Sequence, residues 1–180
     1  MRVVLDACVL FPVSVRKILL GVAEKRLFTP LWSEKILDEW QFATAKSDKK
    51  LVDQTKVEIL LLKSYWEESL IPKNEAVENQ LILPDMNDRH VLATAITGKA
   101  EILLTNNLRD FPSRVLGKYG IIPRSPDKFL LEIYYIFPDL ITVLTKAAFE
   151  SAREYRLNIT SEKLFLKRSG LSRLAKHLKN

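Results

Sequence analysis

Several acidic side chains fall where a fold can bring them to one place. Asp6 closes the apolar run Arg2-Val3-Val4-Leu5, Asp88 opens an alanine-rich helical stretch, and Asp110 follows a second apolar run, Glu101 to Thr105. Glu39 lies in the helical pattern that starts after Ser33, and Asp85 is a further acid just ahead of Asp88. Carboxylates gathered in one cleft repel each other and need a cation, and oxygen donors without a Cys or His cluster select Mg2+ or Mn2+. The chemistry of such a centre is phosphoryl transfer, with a metal-activated water attacking a phosphate whose charge the metal neutralises. Serine-histidine and cysteine-histidine catalysis have no counterpart here, because the only histidines are His90 and His177 and the only cysteine is Cys8. Each acid also has an ordinary reading. Asp6 can bond the turn after it, Asp85 and Asp88 can serve a helix start, Asp110 can cap the turn before Pro112, and Glu39 can be a solvated helix residue. His90 reads as a partly exposed helix residue rather than a base.

These acids are useful only if the elements that carry them converge. Arg2 to Leu5 and Glu101 to Thr105 read as buried strands of a parallel sheet, closed by Asp6 and by Asn106-Asn107. In such sheets ligands bind beyond the carboxyl ends of the strands. Between them the spacing predicts a helix capped by Ser14 and running through about Glu24. A second, capped by Ser33, carries an Ile36, Leu37, Trp40, Ala43 stripe, and a third over 49–68 has Val52, Leu60 and Leu61 among its apolar positions. Leu81-Ile82-Leu83 reads as a strand end, followed by a cap and a helix that stops before Gly98. A short helix after Pro112, a strand at Ile121-Ile122 and a helix opened by Ser125-Pro126-Asp127 follow. Alternating strands and helices argue for an α/β fold, a three-layer α/β/α sandwich around a central parallel sheet. From Pro138 onward the pattern is helical, with Leu171, Leu174 and Leu178 forming a narrow stripe among Arg173, Lys176 and Lys179.

Composition limits the alternatives. The chain has 180 residues, 47% of them hydrophobic and 28% charged, which suits a globular domain that needs no disulfide or structural zinc. A reducing, cytoplasmic setting is expected, and no apolar run reaches the ~18 residues of a membrane span. The first fifteen residues are apolar, but Asp6 interrupts them and Arg16 and Lys17 follow rather than precede them, so they read as a strand rather than a signal peptide. Five glycines and no internal period disfavour phosphate-cradling loops and repeats. The net charge of +6 is uneven: residues 140–180 hold 9 basic and 3 acidic side chains. A basic face fits a polyanion through counterion release, and equally a solvated surface or an acidic protein partner.

In this order, VVLDACVLFP, WSEKILDEW, LPDMNDRHVLATAI and EILLTNNLRDFP resemble the PIN-domain ribonucleases, in the subgroup of VapC-type toxins, over residues 1 to about 130. The ending KRSGLSRLAKHLKN resembles the helical extension of some members. The resemblance implies a PIN-like nuclease domain over 1–137 and a basic helical extension over 138–180. It places metal-binding acids at Asp6, Glu39 and Asp88, the strand-end hydroxyl at Thr105, and Asp110 among the catalytic residues. Asn107 stands where a fourth acid often follows that threonine, so it positions water or substrate; Asp110 binds through water or supports the loop, and Asp85 serves the cap or a second metal. Which of Asn107, Asp110 and Asp85 completes the site stays open.

The implied activity is that of a Mg2+- or Mn2+-dependent endoribonuclease, the toxin of a toxin-antitoxin pair. It would cut single-stranded or looped RNA to leave a 5′-phosphate and a 3′-hydroxyl. The implied partners are RNA contacted through the basic C-terminal part, an antitoxin segment in the active-site groove, and a second copy in a homodimer. A different reading is a catalytically inactive PIN-like module that binds RNA or protein, with Asn107 as the trace of lost activity. A haloacid-dehalogenase-like phosphatase also begins with a strand-end Asp but needs another two residues later, where Cys8 stands.

Overall fold

The structure is a computed structural model that describes residues 1–155 and 160–178. Its elements in chain order are β1 (Arg2–Leu5), α1 (Ala7–Leu10), α2 (Val13–Glu24), β2 (Thr29–Leu31), α3 (Glu34–Ser47), α4 (Val52–Tyr65) and α5 (Glu75–Glu78). After these come α6 (Arg89–Thr97), β3 (Ile102–Leu104), α7 (Ser113–Leu116), β4 (Ile122–Arg124), α8 (Pro126–Ile136), α9 (Pro138–Tyr155), α10 (Glu162–Arg168) and α11 (Leu174–His177). The chain groups into two units, residues 1–11 with 28–124 and residues 12–27 with 125–180. The helix α2 therefore groups with the C-terminal helices, as do residues 125–137.

The first unit holds a four-stranded parallel sheet in the order β2-β1-β3-β4, the α/β/α architecture that the alternation of elements predicts. Val3, Val4 and Leu5 of β1 and Leu103 and Leu104 of β3 are fully buried, which is why both strands read as continuous aliphatic runs. Leu5 pairs with Leu104, so the chain leaves both central strands at the same level, between Asp6 and Thr105. Strand order reverses between these two strands, and that is where a crevice forms in an open parallel sheet.

Strand β2 has no counterpart among the elements expected from the sequence, and β4 begins one residue later than expected. Both are three-residue strands with proline in the middle, Thr29-Pro30-Leu31 and Ile122-Pro123-Arg124, and both lie at sheet edges. Thr29 donates to Met1 and Ile122 donates to Glu101, so alternation turns Pro30 and Pro123 outward, where a missing N–H costs no bond to the neighbouring strand. Leu81 to Leu83, expected to form a strand end, joins no strand, with Leu81 and Leu83 buried and Ile82 exposed.

Ser33 caps α3 as predicted, accepting from Ile36 N at 3.4 Å, and Ile36, Leu37 and Trp40 are buried. Ala43 is only partly covered, and Thr44 takes the next buried place on that face. Along α4 the buried positions are Thr55, Ile59 and Leu62, whereas Leu60 and Leu61 face solvent. The apolar run is long enough to mark a helix but does not say which of its leucines turn inward. Helix α6 ends at Gly98, whose missing Cβ leaves room for Leu31 Cδ1 and Ile71 Cγ1, at 2.9 and 3.1 Å from where it would lie. The Thr94 carbonyl is 3.0 Å from the same point and cannot yield. Gly98→Ala is expected to destabilise the protein by about 1–3 kcal/mol in denaturant titration, the cost of overpacking a close contact.

In the second unit, α2 buries Val15, Ile18, Leu19 and Val22. Its N-terminus differs from expectation: the helix begins at Val13 after Pro12 with no side-chain cap, and the Ser14 hydroxyl donates instead to Ser169 Oγ at 2.8 Å. Ser125 caps α8, accepting from Lys128 N at 3.3 Å, with Pro126 at the first helical position. Asp127 accepts from the backbone N–H groups of Arg173 and Leu174 at 2.9 and 3.0 Å and so caps α11. Tyr134 donates to the His177 carbonyl at 2.9 Å, and Leu171 and Leu174 are buried, so the C-terminal stripe docks within its own unit. Lys179, expected beside that stripe, lies outside the described residues. No described helix is long and apolar enough to cross a membrane.

Candidate metal centre

Asp6 is the residue where β1 ends, 8% exposed, and its backbone N–H donates to Leu104 O at 3.1 Å. The turn it opens is made by its carbonyl, which accepts from Val9 and Leu10. Its carboxylate takes no part in that turn and caps nothing. Instead Oδ2 accepts from the Thr105 hydroxyl at 2.7 Å and from the Cys8 thiol at 3.1 Å. Thr105 is fully buried and in turn accepts from Asn107 N at 3.0 Å. Burial, and then the Asp6 charge, push the Cys8 thiol up to about 12, so it stays protonated and able to donate. Sequence alone marks Cys8 only as a lone thiol; the fold makes it a partner of Asp6.

The second group of acids comes from the approach to α6 and from the loop after β3. Asp85 precedes the 3-10 turn Met86–Asp88 and accepts from Asn87 N at 2.8 Å, the cap expected of it. Asp88 stands at the start of α6 without a side-chain capping bond, so its carboxylate is available for another partner. Asp110 accepts from the side-chain amide of Asn107, which holds the loop closed across three residues. Oxygens of Asp85, Asp88 and Asp110 lie within 4.8 Å of one another. Burial first, then the charges of Asp6, Asp85 and Asp110, raise the Asp88 carboxyl to about 6, and His90 acts weakly the other way. Three carboxylates thus act on a fourth, and the donor set is hard oxygen throughout, which fits Mg2+ or Mn2+.

His90 departs from expectation, and Glu39 stands against it. His90 is 3% exposed rather than partly solvated, because α6 is covered all the way round from His90 to Ala95. Its Nε2 lies 2.8 Å from Glu39 Oε1, while Glu39 itself is partly exposed on α3. The carboxylates drawn into one trio are therefore Asp85, Asp88 and Asp110, with Asp6 beside Asp88 and Glu39 paired to an imidazole. Asn107 is engaged twice, by its backbone with Thr105 and by its side chain with Asp110.

Thr105 carries the tie between the two central strands, and replacing it tests that tie directly. Thr105→Val keeps the volume but leaves Asp6 Oδ2 short of a donor and Asn107 N without its acceptor. A loss of about 1–3 kcal/mol in unfolding free energy is expected, the cost of orphaning buried polar groups.

The family model for the PIN domain matches residues 2–109. A Mycobacterium tuberculosis protein that carries the name "Putative ribonuclease VapC50" is 49% identical over 45 residues, 25% of this chain and 27% of that protein. The matched stretch therefore spans about a quarter of that relative's length. No solved structure matches the chain.

Proposed function

The chain belongs to the PIN-domain family, and from that premise we propose that it is a divalent-metal-dependent endoribonuclease, the toxin of a toxin-antitoxin pair. One observation carries the reading: Asp85, Asp88 and Asp110 converge within 4.8 Å, and the charge of Asp6, which closes β1 where strand order reverses, acts on Asp88. A group that raises the Asp88 carboxyl to about 6 is poised to bind a cation that relieves the repulsion. The similarity to a protein named as a ribonuclease supports the RNA substrate.

In this reading Asp6, Asp88 and Glu39 hold Mg2+ or Mn2+, and Asp110 and Asp85 are the further carboxylates able to complete the set. A metal bound there would supply an activated water and neutralise charge on the attacked phosphodiester. The chain's own residues do the rest. Thr105 keeps Asp6 oriented, and the Asn107 side chain keeps Asp110 in place beside Asp88. Basic residues of the 138–180 extension contact the RNA backbone, an antitoxin segment covers the groove, and the protein acts in the cytoplasm as a homodimer.

The test is incubation of a mixed pool of structured RNAs with purified protein in Mg2+ or Mn2+, beside EDTA and beside an Asp6→Asn, Asp88→Asn double variant. Metal-dependent cutting by the wild type alone is the expected result. A folded, antitoxin-free protein that cuts nothing with either metal would overturn the reading in favour of a non-cutting binding module, for which the Asn107 position speaks.

A further inference from the structure

We propose that Cys8 is a positioning residue of the acidic centre, whose thiol and the Thr105 hydroxyl together hold Oδ2 of Asp6 and leave Oδ1 as the oxygen that takes a cation. The inference rests on the metal-nuclease reading above and adds a residue that reading does not use.

Two parallel relays converge on Oδ2. In one, Asn107 N–H donates to Thr105 Oγ1 at 3.0 Å and the Thr105 hydroxyl donates to Asp6 at 2.7 Å. In the other, Asn106 N–H donates to Cys8 Sγ at 3.2 Å and the thiol donates to Asp6 at 3.1 Å. Consecutive backbone N–H groups of one loop therefore set the two donor hydrogens: each fills the acceptor side of a hydroxyl or thiol and directs its hydrogen toward the carboxylate. The Asn106 side chain adds a third tie, donating to the Cys8 carbonyl at 3.0 Å. Cys8 Sγ also lies 3.5 Å from Thr105 Oγ1, so the two donors stand side by side.

No described residue bonds Asp6 Oδ1. A carboxylate with one oxygen fixed by two donors has lost its freedom to rotate, and its second oxygen keeps one direction. Partners that orient a metal-binding carboxylate typically change metal affinity by about 10–100-fold when removed. A thiol buried only for packing would not receive an N–H on its sulfur while giving its hydrogen to a carboxylate. Serine can play both parts from the same position, and alanine can play neither.

The chain has a single cysteine, so its S–H stretching band in the infrared reports this bond alone. The wild-type band is expected at the low-frequency, hydrogen-bonded end and should move upward in Asp6→Asn, whose amide oxygen is a weaker acceptor. In calorimetric titration with Mn2+, Cys8→Ala is expected to bind about tenfold more weakly than the wild type. Cys8→Ser should recover most of that loss, and thermal melts of both variants show whether they fold. A band at the position of an unbonded thiol, or one that Asp6→Asn leaves in place, overturns the proposal. So does a folded Cys8→Ala that binds Mn2+ as the wild type does. Wild-type protein that binds no Mn2+ at all would instead sink the metal reading on which this one rests, while equal binding by wild type and Cys8→Ala sinks this inference only. If Cys8→Ala does not fold, the infrared band and a Cys8→Ser affinity near wild type decide the matter.

Discussion

Asp6→Asn is expected to remove RNA cleavage, by at least about 100-fold in initial rate, while the protein melts within a few degrees of the wild type. On the proposed reading, in which the site holds a cation, the rate effect follows from taking away a charged oxygen donor, where even indirect partners are worth about 10–100-fold. The stability expectation has two opposed parts. The amide oxygen still accepts from Thr105 and Cys8, although an uncharged acceptor gives weaker bonds. Against that, removing one charge relieves the repulsion that Asp6 exerts on Asp88. Initial rates on a fluorescent RNA together with a thermal melt check both halves. An Asp6→Asn protein that unfolds readily would mean the carboxylate is chiefly a structural tie between the ends of β1 and β3.

The second large effect concerns Asp88, whose replacement should impair activity and strengthen the fold at once. With its carboxyl raised to about 6 by burial and by three neighbouring carboxylates, Asp88 takes up a proton more readily in the folded chain than in the unfolded one. Between the unfolded value near 4 and the folded value near 6, the folded protein holds a proton the unfolded chain has released. Stability from this group is therefore fully present below about pH 4 and is lost as pH rises through about 6. At neutral pH the ionised carboxylate opposes folding by on the order of 1 kcal/mol, once the shift is discounted for the solvent around a half-exposed group. Asp88→Asn should stabilise the metal-free protein by about that amount at pH 7 and flatten the stability profile between about pH 4 and 6, read by denaturant titration in EDTA. Divalent binding by the wild type should strengthen over the same interval, since the ligand must first lose its proton. A metal-free Asp88→Asn protein no more stable than wild type would mean that the four carboxylates do not strain one another.

How far the sequence reveals this arrangement differs from residue to residue. The central strands are legible because burial on both faces leaves an unbroken aliphatic run, and turn formation alone does not account for an acid, such as Asp6, set at the end of one. Asp88 and Asp110 are legible through the chain's likeness to a known pattern and through their places at element ends. β2 is not, because Thr-Pro-Leu is too short for any period and proline argues against a strand unless its outward turn at an edge is known. His90 misleads for a related reason: a helix of small residues that is buried on every side has no polar face to betray which residues are exposed. Ser14 has the right residue type for a cap but sits one position inside a helix that Pro12 starts. The part played by Cys8 depends on hydrogen directions across a loop about a hundred residues away, which spacing along the chain does not encode.

The two outward prolines govern how this molecule can meet others. A parallel sheet ordinarily ends in open rows of donors and acceptors, and a foreign strand can add itself there, as in fibril growth or strand exchange between copies. At the middle of each border strand the donor is absent, at Pro30 and at Pro123, and beyond β2 the backbone of Trp32 is already taken by Ser69 and Ile71. The sheet is thus closed to lateral growth. Whatever this chain receives as a partner is therefore met on its helices and loops rather than by addition of a strand to the sheet.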